Sequence, residues 1–520
     1  MNTFGSLSAL IFIPLVAGLV VAFLPARAAK AAKGLAFLAA GLCAGWVAWI
    51  GGRFDSAQAE MQFVEKWPWI PSIKVDYHLG LDGLGLVMIG LTALVVPFAM
   101  AVCRHETRRV PLMFALILWL EAGLFGAFTA LDFFHWFLFW ELSLVPAYFL
   151  IKFWGGEGRG PASFQFFVYA MAGSVSMLLA FLAVSVATGT FNFLEWAEKG
   201  RSGELASALS VRLAWFETFK TQEGLAQCVF WMALLGFAVK VPMFPFHSWL
   251  PSAYSEAPSG VTMILTGAMS KLGVYGLLRL ILPVFPEQMR EALDLLLWLA
   301  VATIVLSAFA ALGQKDLKRT LAYSSVNHLG YCLLGVFAAM KVTETGGLWS
   351  AEKAAALNGV LLQMFNHGIT ASALFCFLGF LEQRSGGLRG LNEFGGLRAA
   401  APVFCGLMGL SMFASLGLPG LNGFAGEFLI FKGAYALAWA PTAVATLGLL
   451  VTAIFLLGIM QKVFWGPLPE RWTHWPDLTL GEKLLVTPAT LLTLGLGVWP
   501  QAIVHWTHAT VTQWVGWLRF

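Results

Sequence analysis

Four ionisable side chains stand inside stretches that are otherwise apolar: Glu141 in FWELSLVPAYFL, Lys240 in GFAVKVPMFPFHSWLP, Lys271 in TGAMSKLGVYG and Glu427 in SLGLPGLNGFAGEFLIF. His328, in SSVNHLGYCLLG, and His367, in MFNHGITASALF, fall between Lys271 and Glu427 in chain order. A charge at the centre of a bilayer costs about 2.5–3.5 kcal/mol on insertion scales, so such residues face protein or water rather than lipid. Carboxylates, amines and imidazoles take up and release protons, and burial sets how readily. Desolvation lowers the pKa of a buried lysine by up to about 3–5 units, and a neighbouring carboxylate raises it again. If Glu141 pairs with Lys240, drawing the two apart lets the lysine shed its proton, each unit of change being worth about 1.4 kcal/mol. These types and positions suit stepwise proton transfer across a membrane. The competing reading is a set of static ion pairs that fix helix register. No pair of histidines has metal-ligand spacing.

The elements that must hold these groups are membrane helices. Of 520 residues, 59% are hydrophobic and 12% charged, against roughly 25% charged in a soluble protein, so the chain's solvent is largely lipid. One membrane domain, 1–520, is the simplest account. At about twenty apolar residues per crossing, spans fall near 4–24, 33–52, 79–102, 110–130, 133–153, 163–187, 226–246, 257–282, 288–312, 319–340, 354–381, 401–437, 441–464 and 482–504. The expected fold is an all-α polytopic membrane protein of about fourteen transmembrane helices. The stretch up to Leu24 lacks a basic leader and a small-residue cleavage site and reads as a retained first helix. Connections after the odd-numbered spans are rich in Lys and Arg, among them Arg27, Lys30 and Lys33, Arg104, Arg108 and Arg109, Lys315, Lys318 and Arg319. By the positive-inside rule these face the cytoplasm, which places both termini on the periplasmic side of the cell inner (plasma) membrane. The long outer connection, about 188–225, carries Glu195, Glu198, Glu204, Glu217 and Glu223 among several cations. The loop 247–256 is the exception to the cation pattern, with no Lys or Arg.

Two spans are expected to break. In the seventh, Pro242, Pro245 and Pro251 follow Lys240, and a helix-interior proline removes a hydrogen bond and clashes one turn back. In the twelfth, Pro419, Gly420 and Gly423 precede Glu427. Unpaired backbone is tolerated at membrane depth only inside protein or beside water. Interrupted helices at corresponding places in two halves are the sign of a transporter built from repeats, with the ion path at the breaks. The expected units are two inverted five-helix repeats, 110–282 and 288–464, with broken helices 7 and 12. Lys240 then ends the first half-helix, where the helix dipole favours a cation.

Other features exclude or carry less. The net charge of +4 is small and spread out, which gives nucleic-acid binding no support. Six cysteines (Cys43, Cys103, Cys228, Cys332, Cys376 and Cys405) stand singly, without a C-x-x-C pair for zinc or an iron–sulfur cluster. Glu121 either joins the buried network or faces a partner subunit. Asp132 reads as a helix N-cap, and Arg279 as a snorkelling side chain near an outer helix end. Gly80, Gly83 and Gly85 open an apolar span and suit helix packing better than a nucleotide loop.

The stretches FWELSLVPAYFLIKFWGG, FAVKVPMFPFHSWLPSAYSEAPSGVTMILTGAMSKLGVYGLLR, QKDLKRTLAYSSVNHLGYCLLG and LPGLNGFAGEFLIFKG resemble the antiporter-like subunits of complex I. That family is shared with multisubunit sodium/proton antiporters and membrane-bound hydrogenases, and the resemblance runs from about residue 75 to 465. Glu427 and an end near Phe520 are similar to the M-type chains, the bacterial counterpart of mitochondrial subunit four. L- and N-type chains typically carry lysine at that position, and the L chain continues into a long lateral helix. The resemblance implies a proton-translocating, non-redox subunit of NADH:quinone oxidoreductase with L-type and N-type neighbours. It implies no cofactor in this chain, with NADH, FMN, iron–sulfur clusters and quinone in partner subunits. It further implies Glu141 with Lys240 as the coupling ion pair, Lys271 and His328 as the central relay, and Glu427 as the group nearest the exit. His247, just after the first break, and His367 match positions drawn into the same path. The uncharged 247–256 loop would then be part of the broken seventh helix, tucked into protein. A secondary sodium/proton antiporter and a passive scaffold are the competing functions.

Overall fold

A computed structural model describes residues 5–213, 222–341 and 349–518. Glu217 of the long connection, Phe4 at the start of the expected first span, and Phe520 lie outside the described residues.

Long helices make up most of the molecule: α1 Ser6–Ala22, α2 Ala29–Gly51, α3 Gly83–Cys103, α4 Val110–Thr129, α5 Phe133–Trp154 and α6 Arg159–Thr188. Two short helices, α7 Phe193–Arg201 and α8 Glu204–Arg212, occupy the long connection that follows α6. Then come α9 Gln222–Lys240, α10 Trp249–Glu256, α11 Ser259–Val284, the short α12 Pro286–Glu291, α13 Leu293–Leu312, α14 Leu317–Ala339 and α15 Ser350–Ser385. The chain closes with α16 Pro402–Ser415, α17 Asn422–Leu437, α18 Trp439–Phe464, α19 Leu480–Val498 and α20 Gln501–Trp517. Among the described residues ten helices are long and apolar enough to cross a membrane, or eleven if the bent pair α19 and α20 is one span. The chain is a predominantly helical, multi-pass membrane protein. Fewer helices meet that test than the fourteen expected because α1 and α16 are short, α14 is rich in polar residues, and the twelfth span divides its apolar length between two pieces.

The all-α expectation needs one correction. Residues 62–81 form an antiparallel hairpin, β1 Gln62–Ile70 and β2 Val75–Leu81, in which Trp67 faces Tyr77 and Lys66 faces His78. Pro68 and Pro71 argue against a helix here, and alternation supplies a strand face instead, with Val75, Tyr77, Leu79 and Leu81 buried. The third span therefore starts at Gly83 rather than 79, behind Asp82, whose carboxylate accepts from Gly85 N at 3.0 Å as an N-cap. The hairpin is fastened to α1 by Glu65, which is fully buried and accepts from Leu7 N at 2.6 Å and from the Ser8 hydroxyl. A carboxylate at a helix N-terminus answers both the orphan amides and the dipole.

The last span is also shorter than expected. At Trp499 and Pro500 the chain bends by 66°, and α20 lies across the ends of α3 and α15. Gly83 N donates to the Thr510 hydroxyl at 3.1 Å, and Lys353 Nζ to the Leu518 carbonyl at 2.8 Å. A Cβ on Gly83 would come within 2.2 Å of the Trp506 carbonyl, so packing does account for that glycine. Asp132 N-caps α5 as expected, accepting from Phe134 N at 2.9 Å.

Arg279 does not snorkel. It is buried and meets the buried Asp82 at 2.5 Å, a partner 197 positions away that spacing along the chain gives no means of finding. At the opposite, cation-rich end, Arg389 joins Asp316 at 2.6 Å and Glu256 at 2.8 Å, while Lys318 meets Glu382 at 3.0 Å. The segment 247–256 lies at this end. Most of α10 is buried against α6 and α14, and its missing cations are replaced by Arg389 from far along the chain.

Candidate functional site

Both expected breaks are present. Between α9 and α10 the backbone finds partners inside the protein, as membrane depth requires: Met243 N donates to the Ala238 carbonyl and Phe246 N to Met243. Phe244 N donates to the Thr303 hydroxyl at 2.9 Å, and the Trp249 indole to the Val239 carbonyl at 3.0 Å. Between α16 and α17 the turn needs positive φ at Gly417 and Gly420, which glycine adopts without strain. Gly423 lies just inside α17, one residue past its start at Asn422. Asn366 clamps that start by donating to the Asn422 carbonyl at 2.7 Å. Small residues let α17 lie hard against α15: a Cβ on Gly426 would meet Gln363, and one on Gly359 would meet Ile430 N at 2.6 Å.

That close approach brings the second half of the site together. Glu427, on α17, is buried and lies 3.2 Å from His328 Nδ1 on α14. The Gln363 amide of α15 is 3.3 Å from the same carboxylate oxygen and 3.2 Å from the same imidazole nitrogen. His328 Nε2 contacts the Ser415 hydroxyl, at the end of α16, at 3.1 Å. The rings of His328 and His367 lie 5.1 Å apart between centroids. His367 Nδ1 in turn is 2.7 Å from Lys271 Nζ. Lys271, His367, His328 and Glu427 thus form one series of neighbours through the core.

Lys271 is fully buried. The helix around it changes pitch, with a π-helical segment at Leu265–Met269, and the Ser270 amide reaches five residues back to the Leu265 carbonyl at 3.0 Å. The Thr266 carbonyl accepts from Lys271 Nζ at 2.6 Å and the Ser270 hydroxyl lies 3.3 Å from it. With His367 Nδ1 the ammonium has three partners for its three hydrogens. A proton exchange here is simple. Nζ–H breaks, Nδ1–H forms, and the hydrogen bond persists with its direction reversed.

Lys240 sits at the end of α9, as expected, and is buried. Its ammonium rests over the Trp140 ring, 4.7 Å from the centroid, an attraction worth about 2 kcal/mol when desolvated. Among the described residues it makes no contact ion pair with Glu141. Glu141, half-buried, follows Trp140 directly in the chain, and its Oε1 has no hydrogen-bond partner among the described residues. Lys240 and Ser270 both line a small cavity of about 10 Å³, bounded also by Trp249 and Tyr254. That is room for about one water molecule, and Ser270 touches Lys271. His247 lies in the first break beside Phe244 and Tyr323, apart from the Lys271–Glu427 series, with Nδ1 unpartnered among the described residues. Glu121 is wholly enclosed, so it does not face a partner subunit, and neither carboxylate oxygen has a hydrogen-bond partner among the described residues.

Charge alone does not reveal Gln363, Ser270, Ser415 or the π-helical segment. Gln363 carried a signal: it precedes His367 by four residues in LLQMFNHG, so both share one helix face.

Residues 130–455 match the family described as NADH:quinone oxidoreductase/Mrp antiporter, TM. The NADH-quinone oxidoreductase subunit M of Rickettsia bellii is 32% identical over 461 residues, covering 88% of this chain and 87% of that one. The F(420)H(2) dehydrogenase subunit M of Methanosarcina mazei is 35% identical over 501 residues, covering 96% and 95%. Among solved structures, a chain of respiratory complex I from Thermus thermophilus with bound NADH superposes with a TM-score of 0.83, at 30% identity and over 99% of each chain.

Proposed function

The chain belongs to the NADH:quinone oxidoreductase/Mrp antiporter membrane-subunit family, and on that premise we propose that it is an M-type, proton-translocating subunit of a respiratory complex I. The proton passes through a relay of Glu141, Lys240, Lys271, His367, His328 and Glu427, driven by redox chemistry in other subunits. The observation that carries this reading is the contact series from Lys271 to Glu427, each member titratable and removed from lipid, which ends at the second interrupted helix. The cavity between Lys240 and Ser270 supports its extension to the first.

Protonation of Lys271 and its release are gated from Lys240. When Glu141 lies close, Lys240 holds its proton, and when the two separate the Trp140 face is the cation's remaining support. Charge then shifts along the series, since each added proton repels the next. His247, in the first break and outside that series, serves the cation-rich side, which we place at the cytoplasm, with both termini at the periplasm and the complex in the inner membrane. The chain crosses fourteen times when the interrupted and shorter helices count as crossings, in two inverted five-helix units. L-type and N-type chains are its neighbours. NADH or another reduced donor, FMN, iron–sulfur clusters and quinone belong to partner subunits. That relatives named for different donors match at comparable identity supports a role that does not depend on the donor.

The test uses Lys240→Ala and Glu427→Gln in the assembled complex in membrane vesicles, with donor oxidation and proton uptake measured separately. Loss of uptake in both is expected. Full uptake in both with normal assembly overturns the relay.

A further inference from the structure

The relay assigns roles to charged groups only, yet the contact between His328 and Glu427 contains a third, neutral partner. Gln363 is buried, 1% exposed, and its amide nitrogen stands 3.2 Å from His328 Nδ1 and 3.3 Å from Glu427 Oε1. Those two atoms are themselves 3.2 Å apart. The three form a nearly equilateral triangle in which only the amide nitrogen always carries hydrogens. Its oxygen has no partner among the described residues and lies against Gly426, where a Cβ would come within 2.7 Å of it.

Consider the two end states. With the proton on Nδ1, His328 donates to a carboxylate, and the amide N–H donates to the same oxygen. With the proton moved, the Nδ1–H bond has broken, an O–H bond has formed, Glu427 is neutral, and the lone pair freed on Nδ1 accepts from that O–H. The amide N–H shares the lone pair without leaving its place, because the two distances differ by 0.1 Å (3.3 against 3.2). Resting on the relay proposed above, we propose that Gln363 is the positioning residue for this transfer, giving its hydrogen to whichever of His328 and Glu427 has just lost the proton. It keeps the two states close in energy and fixes the separation across which the proton moves.

The titratable groups around this pair are His367, from the same helix as Gln363, and Lys271 beyond it on α11. Tyr331 and Cys332 face it from the helix of His328. None of these touches both atoms.

A hydrogen bond to a carboxylate is roughly twice as strong as one to a neutral acceptor, so losing the amide favours the proton on Glu427 and hinders its release. In assembled complex in vesicles, Gln363→Met, of similar length but without a donor, is expected to move the acid-side midpoint of proton transport upward by about half to one pH unit. That is a threefold to tenfold change in the release equilibrium. Gln363→Glu, whose acid form keeps an O–H where the amide N–H was, is expected to transport best on the acid side and to fail as pH rises. The two variants bend the profile in opposite directions, which a packing role does not. If Gln363→Met disrupts assembly, Gln363→Glu decides alone. Unmoved profiles in both variants, or equal losses at every pH, overturn the proposal. Should Lys240→Ala and Glu427→Gln also transport normally, the relay falls with it; if those two fail while Gln363 variants are unaffected, only this inference falls.

Discussion

One added methyl group offers a strict test of the site's geometry. A Cβ on Gly426 would lie 2.7 Å from Gln363 Oε1, 2.9 Å from its backbone nitrogen and 3.0 Å from its Cα. Ordinary contact begins at 3.4 Å, so relief against the backbone requires α17 to withdraw from α15 by 0.5 Å (3.4 minus 2.9). Glu427 is the next residue and moves with it. Its 3.2 Å contact with His328 on α14 lengthens by up to that amount, to 3.7 Å at most (3.2 plus 0.5), a limit past hydrogen-bond range. Overpacking of this kind costs about 1–3 kcal/mol, and alanine in place of a helical glycine returns about 1, so Gly426→Ala should still assemble. A displacement of about 1 Å costs about 100-fold in a positioned reaction, and half of that gives about tenfold. The assay is proton uptake per donor oxidised in vesicles, beside Gly458→Ala, where nothing lies within 4 Å of the added carbon. A tenfold loss in the first and none in the second is expected. Wild-type uptake from Gly426→Ala would refute the argument that contact between α15 and α17 sets the transfer distance.

Two further outcomes concern the hairpin and the residue that follows it. Burial, aided by Lys66, lowers the pKa of His78 to about 4 from 6.5. Because the folded value is depressed, the unfolded hairpin binds the extra proton. Stability is complete above about pH 6.5 and declines as pH falls toward 4, by about 3 kcal/mol in all. Hydrogen exchange in residues 62–81, corrected for intrinsic rates, should show protection lost across that window, and His78→Phe should abolish the pH dependence. Arg279→Met leaves the buried Asp82 unpaired and should destabilise the protein by about 3–5 kcal/mol, with Asp82→Asn restoring much of it. Melting in detergent measures both, and an unchanged midpoint in Arg279→Met would mean the pair is idle.

The sequence exposes the groups whose cost in lipid demands a reason, and it exposes the breaks, because proline and glycine act locally. Lys240 at its half-helix end and the interruption before Glu427 were legible for that cause. Contacts set by tertiary packing were not. Arg279 read as a snorkelling cation because its partner lies on a distant helix. The hairpin was missed because its apolar strand face merges into the next span, and the seat of the Lys240 ammonium over the Trp140 ring gave no signal in the sequence. Gln363 escaped because an uncharged amide costs too little in a span to draw notice, although its value lies in being uncharged.

The bridge from Arg389 to Glu256 carries a consequence for biosynthesis. The two residues are 133 positions apart, and a ribosome adding about 5–20 residues per second needs roughly 7–27 s to supply the second after the first. Through that interval the Gly158 amide, which donates to the same carboxylate at 2.8 Å, is the partner already in the chain, and the end of the interrupted helix is locked only when the later guanidinium arrives.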